Sequence, residues 1–311
     1  MAPGWNRPAA LLAAMVAAAS AGCDVILGIE EATLDPTLTG TGGGSGSSTA
    51  TAGGMGGAGG AGTAGETSSA GGAGGSGGSG GSGGVSGCPS LEGPALIPIT
   101  AFGQSYCIDA TEVSKGHYKT WLDSIPGIDA QPPQCAWNTT FEPTDPDWPT
   151  IQTTDPLPVT HVNWCDAYAY CAGVGKRLCG KIGGGPNAHD DYDEPTRSAW
   201  LNACSHEGMN DYPYGGTYVA NVCNGMDYPG MVTINVGSAA GCVGGYPGIH
   251  DMSGNVWEWE DSCSADLGET DTCRRRGGSY LSNATLVRCL VGEVEARNAR
   301  LGYIGFRCCL D

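Results

Sequence analysis

The chain has 311 residues, 54 of them glycine, and carries 32 acidic against 14 basic side chains, a net charge of −18. That balance disfavours a phosphate backbone as partner, which excludes nucleic acid, and leaves carboxylates available for hard cations. Of 15 cysteines, Cys23 stands apart and the rest lie between Cys88 and Cys309. This even set fits a disulfide framework in an oxidising compartment, and with no paired Cys-x-x-Cys pattern zinc is the weaker reading.

In chain order, Arg7 supplies a positive start and residues 9–21 form an apolar run ending in small residues. The run is too short to span a bilayer. Ser20-Ala21-Gly22-Cys23 resembles a lipobox, although Ser20 sits where such motifs usually carry Leu. The expectation is a signal peptide over 1–22, then acylation of Cys23 and a lipidated segment 23–36 on a bacterial envelope membrane, periplasmic or cell-surface. Ordinary cleavage and a secreted product is the alternative. Residues 37–87 are almost wholly Gly, Ser, Ala and Thr, with Glu66 their only charge. Such a stretch cannot bury enough surface to offset ordering and reads as a disordered linker spanning roughly 35–45 Å root-mean-square.

Residues 88–311 are expected to form one domain. Ser114 is placed to cap a helix to about Ser124, with Val113 and Tyr118 as a hydrophobic staple. Asn163 caps a second, with Asp166 in its first turn and Gly173 placed to end it. Thr196 caps a third carrying Trp200, Leu201 and Cys204, stopped by Gly208. Elsewhere Gly, Pro, Asn and Asp recur too often for long elements, so the class is α+β with short strands, long loops and many bridges.

Seven fragments then carry a resemblance. They are Cys107-Ile108-Asp109-Ala110-Thr111-Glu112-Val113-Ser114, the run from Pro158 through Thr160-His161-Val162-Asn163-Trp164 to Cys171, and Gly175-Lys176-Arg177-Leu178. They continue with Tyr212-Pro213-Tyr214-Gly215, Asp251-Met252-Ser253-Gly254-Asn255-Val256-Trp257-Glu258-Trp259, Arg276-Gly277-Gly278-Ser279-Tyr280 and Gly305-Phe306-Arg307-Cys308. In this order the chain resembles the formylglycine-generating, sulfatase-modifying factor family over most of residues 100–311. The resemblance implies a single C-type-lectin-like domain with little regular secondary structure and bound calcium. The calcium ligands it implies are Asp251, Glu258 and the carbonyls of Gly254 and Val256, with a second set of Asn221, the carbonyl of Val222, Asp227 and the carbonyl of Pro229. Two carboxylates around a turn-forming Gly254 also suit the all-oxygen shell of calcium. The implied bridges are Cys171 with Cys308 and Cys204 with Cys289. Cys263 with Cys273 is a plausible local pair, and the remaining connectivity stays open.

One departure bears on activity. Formylglycine-generating enzymes follow the Gly-Gly-Ser segment with two cysteines that hold Cu(I). Here Ser282 stands where the first is expected and the second has no counterpart. A hydroxyl does not replace a thiolate on a soft cation, so copper is not expected. Trp257 and Ser279 remain as candidates for the substrate groove, packing and turn formation being the other reading of each. His117, His161, His189, His206 and His250 form no i,i+4 metal pair. The resulting expectation is a calcium-stabilised, non-catalytic module that binds an unidentified protein or glycan, or assembles envelope proteins. The alternative is an oxidase that converts a sulfatase cysteine to formylglycine.

Overall fold

The computed structural model describes residues 87–311, so the expected signal peptide, Cys23 and all but the last residue of stretch 37–87 lie outside the described residues. Strands β1 (Leu96–Ala101) and β2 (Gln104–Asp109) form an antiparallel hairpin. Phe102 and Gly103 between them have φ of 52° and 74°, the left-handed pair whose twist matches the strands it joins.

Helix α1 (Lys115–Asp123) starts where Ser114 Oγ accepts the His117 N–H at 3.1 Å, with Val113 and Tyr118 fully buried around that turn. Helix α2 (Trp164–Gly173) opens on a reciprocal capping box, in which Asn163 and Asp166 each accept the other's N–H at 2.9 Å. Gly173 is the last residue of α2 and does not stop it; Val174 is the cap, and Gly175, at φ 76°, turns the chain. Glycine is required at 173 because the Trp121 indole lies against it, where a Cβ would collide. Helix α3 (Ala199–Ser205) is capped by Ser198 and not by Thr196. Glu194 O accepts the N–H groups of both Arg197 and Ser198, which folds Thr196 into a tight turn and makes Ser198 the residue that receives the Leu201 N–H at 3.0 Å. The left-handed His206, φ 52°, ends α3 ahead of Gly208.

The remaining strands are β3 (Arg177–Leu178), β4 (Trp257–Cys263), β5 (Thr272–Arg276), β6 (Gly292–Ala296), β7 (Ile304–Phe306) and β8 (Cys308–Leu310). They form two four-stranded sheets, β1-β2-β8-β3 and β6-β5-β4-β7, and β7 runs parallel to β4. One hydrophobic cluster packs Tyr118, Trp121, Tyr170 and Phe306 between the first two helices and the second sheet. Another gathers Ile99, Ile108, Trp200, Leu201 and Met252 around α3 and the hairpin. With few short elements and extensive irregular chain, the domain has the α+β character expected.

Cysteines complete this framework. The pairs are Cys88–Cys107, Cys135–Cys165, Cys171–Cys308, Cys179–Cys309, Cys204–Cys289, Cys223–Cys242 and Cys263–Cys273. Side chains alternate along a strand, so the neighbours Cys308 and Cys309 on β8 reach opposite ways, one to α2 and the other to the segment after β3. Loops of this kind each contribute about 2–4 kcal/mol, mainly by restricting the unfolded chain.

Candidate functional site

Strand β5 ends at Arg276, and the next two residues decide the local shape. Gly277 and Gly278 have φ of 84° and 75°. A Cβ at 277 would meet Trp200 at 3.1 Å and the Met252 carbonyl at 3.0 Å, and one at 278 would meet Val287 at 2.8 Å. Glycine is therefore the residue both positions admit without strain. The reversal buries Ser279 and Ser282 side by side. Ser282 Oγ accepts the Ser279 N–H at 2.9 Å, and the Ser282 N–H returns to Ser279 O at 2.8 Å.

Beyond the turn lies a groove of about 340 Å³ lined by Trp257, Arg275, Ser279, Leu281, Ser282, Leu286, Glu293 and Tyr303. The sequence candidates Trp257, Ser279 and Ser282 thus share one site. Trp257 is largely buried, with the Arg275 guanidinium 4.8 Å above its ring. Arg275, Glu293 and Tyr303 were not singled out from sequence, because only the pairing of β5 with β6 and of β4 with β7 assembles them. Cys289, the cysteine nearest Ser282 along the chain, is fully buried in its bridge to Cys204. All cysteines among the described residues are bridged. Side chains lining the groove offer hydroxyls, a carboxylate and a guanidinium, a donor set that does not fit Cu(I).

On the opposite face of β4 lies an acidic centre. Glu258 accepts Arg307 Nε at 2.6 Å, Arg307 Nη2 at 2.7 Å and the Trp200 indole N–H at 2.7 Å. Both of its oxygens accept hydrogen bonds, and the carboxylate is held on Arg307. Asp251, left-handed at φ 58°, accepts the Gly237 N–H. Beside it stands Glu112, which sequence reasoning did not single out. Glu112 Oε1 accepts Asn255 Nδ2 at 3.0 Å, whereas Oε2 is buried without a partner. Burial first, then the charges of Asp251 and Glu258, hold the Glu112 carboxyl well above the usual carboxylate range. Burial likewise raises Asp251, opposed by the Gly237 N–H and by Arg307.

The Glu112 and Asp251 carboxyls lie close enough to share a hydrogen bond, and the same pairing is compatible with a cation at the Asp251 end. Among the described residues, however, no three His, Cys, Asp or Glu side chains group as a metal site. Gly254, at φ 76°, is pinned against Asn224, where a Cβ would collide with its carbonyl. In the second candidate set, Asn221, Asp227 and Pro229 are exposed and Val222 is half-buried. Asp227 Oδ2 accepts the Tyr218 hydroxyl at 3.0 Å, and the Cys223–Cys242 bridge holds their loop.

Comparison with known proteins supplies the context. The sulfatase-modifying factor enzyme 1-like domain family matches residues 90–311. The chain is 28% identical over 181 residues to the mouse formylglycine-generating enzyme, covering 50% of this chain and 44% of the relative. It is 31% identical over 176 residues to the Thermomonospora curvata enzyme of that name, covering 50% and 55%. To the mouse protein named inactive C-alpha-formylglycine-generating enzyme 2 it is 32% identical over 138 residues, covering 41% and 39%. The chain thus spans about half the length of the curated relatives it matches. Among solved structures, PvdO from Pseudomonas aeruginosa aligns over 68% of this chain and 82% of its own, at 19% identity and a TM-score of 0.46.

Proposed function

We propose, from the premise that this chain belongs to the sulfatase-modifying factor enzyme 1-like domain family, that its domain is a non-catalytic binding or assembly module for a protein or glycan. The observation that carries the reading is the groove beyond Gly277 and Gly278. Ser282 serves there as an amide acceptor, and Cys289, the cysteine nearest Ser282 along the chain, is sealed in a disulfide. A bridged sulfur is neither nucleophile nor ligand. Relatives named as active and as inactive enzymes both resemble this chain, so membership leaves the activity to the site. The competing reading, an oxidase that makes formylglycine on a sulfatase cysteine, draws on the resemblance to the mouse and Thermomonospora enzymes. Incubation of the purified chain with Cu(I), oxygen and a cysteine-containing sulfatase peptide decides between them. No aldehyde is expected by mass spectrometry, and turnover above a protein-free control would overturn the proposal.

Calcium belongs to the same proposal as a stabiliser. Asp251, the unpartnered oxygen of Glu112 and the carbonyls of Gly254 and Val256 would hold it, with Glu258 kept on Arg307. Asn221, Asp227 and the carbonyls of Val222 and Pro229 form the second candidate set. A hard dication supplies positive charge where burial has raised both Glu112 and Asp251. Chelation should lower the melting temperature, and Asp251→Asn should shrink that shift; a melt indifferent to chelator argues against both sites.

Seven disulfides suit an oxidising extracellular or periplasmic setting, and no helix among the described residues is long and apolar enough to cross a membrane. Acylation at Cys23 would hold the domain at an envelope membrane, with the Gly-, Ser-, Ala- and Thr-rich sequence 37–87 between anchor and domain.

A further inference from the structure

The groove lining holds hydrogen-bond donors that no described residue of the domain accepts from. Ser282 Oγ accepts the Ser279 N–H at 2.9 Å, and Ser279 Oγ accepts the Leu281 N–H at 3.3 Å. Each oxygen is held by an amide, and neither hydroxyl proton is directed to another described residue, so both can be donated to a ligand.

Arg275 adds a cation. Its guanidinium stands 4.8 Å from the Trp257 ring and 5.8 Å from that of Tyr303. Its Nε and Nη1 are buried with no hydrogen-bond partner. The nearest carboxylate, Glu295, is 3.7 Å away, outside hydrogen-bond reach. Of the other arginines on β5, Arg274 donates to two carbonyls, and Arg276, whose Nε and Nη1 likewise lack hydrogen-bond partners, donates Nη2 to the carbonyl of Tyr192 and faces Glu260 at 3.4 Å. The one carboxylate in the lining, Glu293, is exposed and sits opposite Arg275 across β5 and β6.

We infer that this groove recognises a carboxylate, with Arg275 as its counter-ion and the Ser279 and Ser282 hydroxyls as donors. The inference rests on the reading of the groove as the ligand site and adds what the ligand must present. An acidic residue of a protein segment and an acidic sugar both carry that group. A volume of about 340 Å³ admits one such side chain or one sugar ring, near the lower limit of ligand pockets. Leu281, Leu286 and Tyr303 supply apolar walls for the remainder.

The test uses the full chain and four probes: acetyl-Ala-Phe-Asp-Ala-amide, its Asn twin, methyl glucuronide and methyl glucoside. Affinity is read by titration, and location by hydroxyl-radical footprinting of Leu281 and Tyr303. At least one carboxylate probe should protect both residues and bind about tenfold more tightly than its neutral twin, a margin typical of a charged hydrogen bond. The tighter of the two acids identifies the source. Arg275→Gln should erase the difference between twins. Glu293→Gln, at an exposed position that leaves packing intact, should tighten the acid about threefold by removing like charge. Equal binding of the neutral twin at Leu281 and Tyr303 overturns the carboxylate and leaves the groove as ligand site. Protection elsewhere, or by none of the probes, overturns both.

Discussion

Trp257 and Glu258 are neighbours on β4, yet they face two different chemistries. Glu258 points to a closed centre in which both carboxylate oxygens meet Arg307 and the Trp200 indole. Trp257 points to an open groove in which Arg275 rests on its ring, 3.7 Å from Glu295 and with Nε and Nη1 unbonded. The same contrast recurs on β5, where Arg276 is fully buried facing Glu260 and Arg275 lines the groove. Alternation along a strand turns one short ladder into two faces. Carboxylates on the closed face meet arginines inside the fold, while Arg275 on the open face makes no hydrogen bond to the described residues of the domain.

Breaking the closed face should have the largest effect. Arg307→Ala leaves the Glu258 carboxylate buried without its bidentate partner, and loss of one member of such a pair costs about 3–5 kcal/mol. Urea denaturation reads it, and a loss below about 1 kcal/mol would mean the two faces are not distinguished by charge closure.

Next comes the boundary between the faces. Gly278→Ala adds a Cβ 2.8 Å from Val287 at a φ of 75°, a left-handed position costing about 1–3 kcal/mol for a residue with a side chain. It should also displace Ser279 and Ser282, so groove footprints should change while the Arg307–Glu258 pair keeps its protection in hydrogen exchange.

The smallest effect concerns Asp261, an acid on β4 without such a bidentate partner. Burial first, with Arg177 opposing and Glu260 and Asp266 adding, raises its carboxyl from 3.8 to about 7. A raised folded value means that its stabilising contribution is complete below about pH 4 and is lost as pH rises through about 7. Asp261→Asn should therefore narrow the difference in melting temperature between pH 5 and pH 8, and an unchanged difference would remove Asp261 as its cause.

How much of this was legible in the sequence follows the distance over which each feature is determined. The starts of α1 and α2 depend on neighbours three residues apart, so Ser114, Asn163 and Asp166 announced them. The cap of α3 slipped from Thr196 to Ser198 because a preceding turn onto Glu194, invisible in residue type, moved the first helical amide. Gly173 looked like a stop signal, but its role is to let Trp121 lie against α2. Strands of two or three residues, such as β3, β7 and β8, carry too little alternation to be read. The family resemblance brought Trp257, Ser279 and Ser282 forward, whereas Glu112 and Tyr303 reach their sites only through long-range packing. Arg275 stands among three consecutive arginines, and register alone decides which of them faces the groove.

Strand β8, from the last residues of the sequence, lies between β2 and β3 and completes their sheet. Its two cysteines close loops with sequence separations of 137 and 130 residues. During synthesis the amino-terminal hairpin emerges long before the strand it must pair with, and pairings of such separation are slow to form. Cys171 and Cys179 therefore find their partners only after β8 is made, whereas the other five bridges do not involve this strand. An oxidase or isomerase acting on the nascent chain would meet partners for Cys171 and Cys179 only at that point, which makes early mispairing the main hazard in producing this domain.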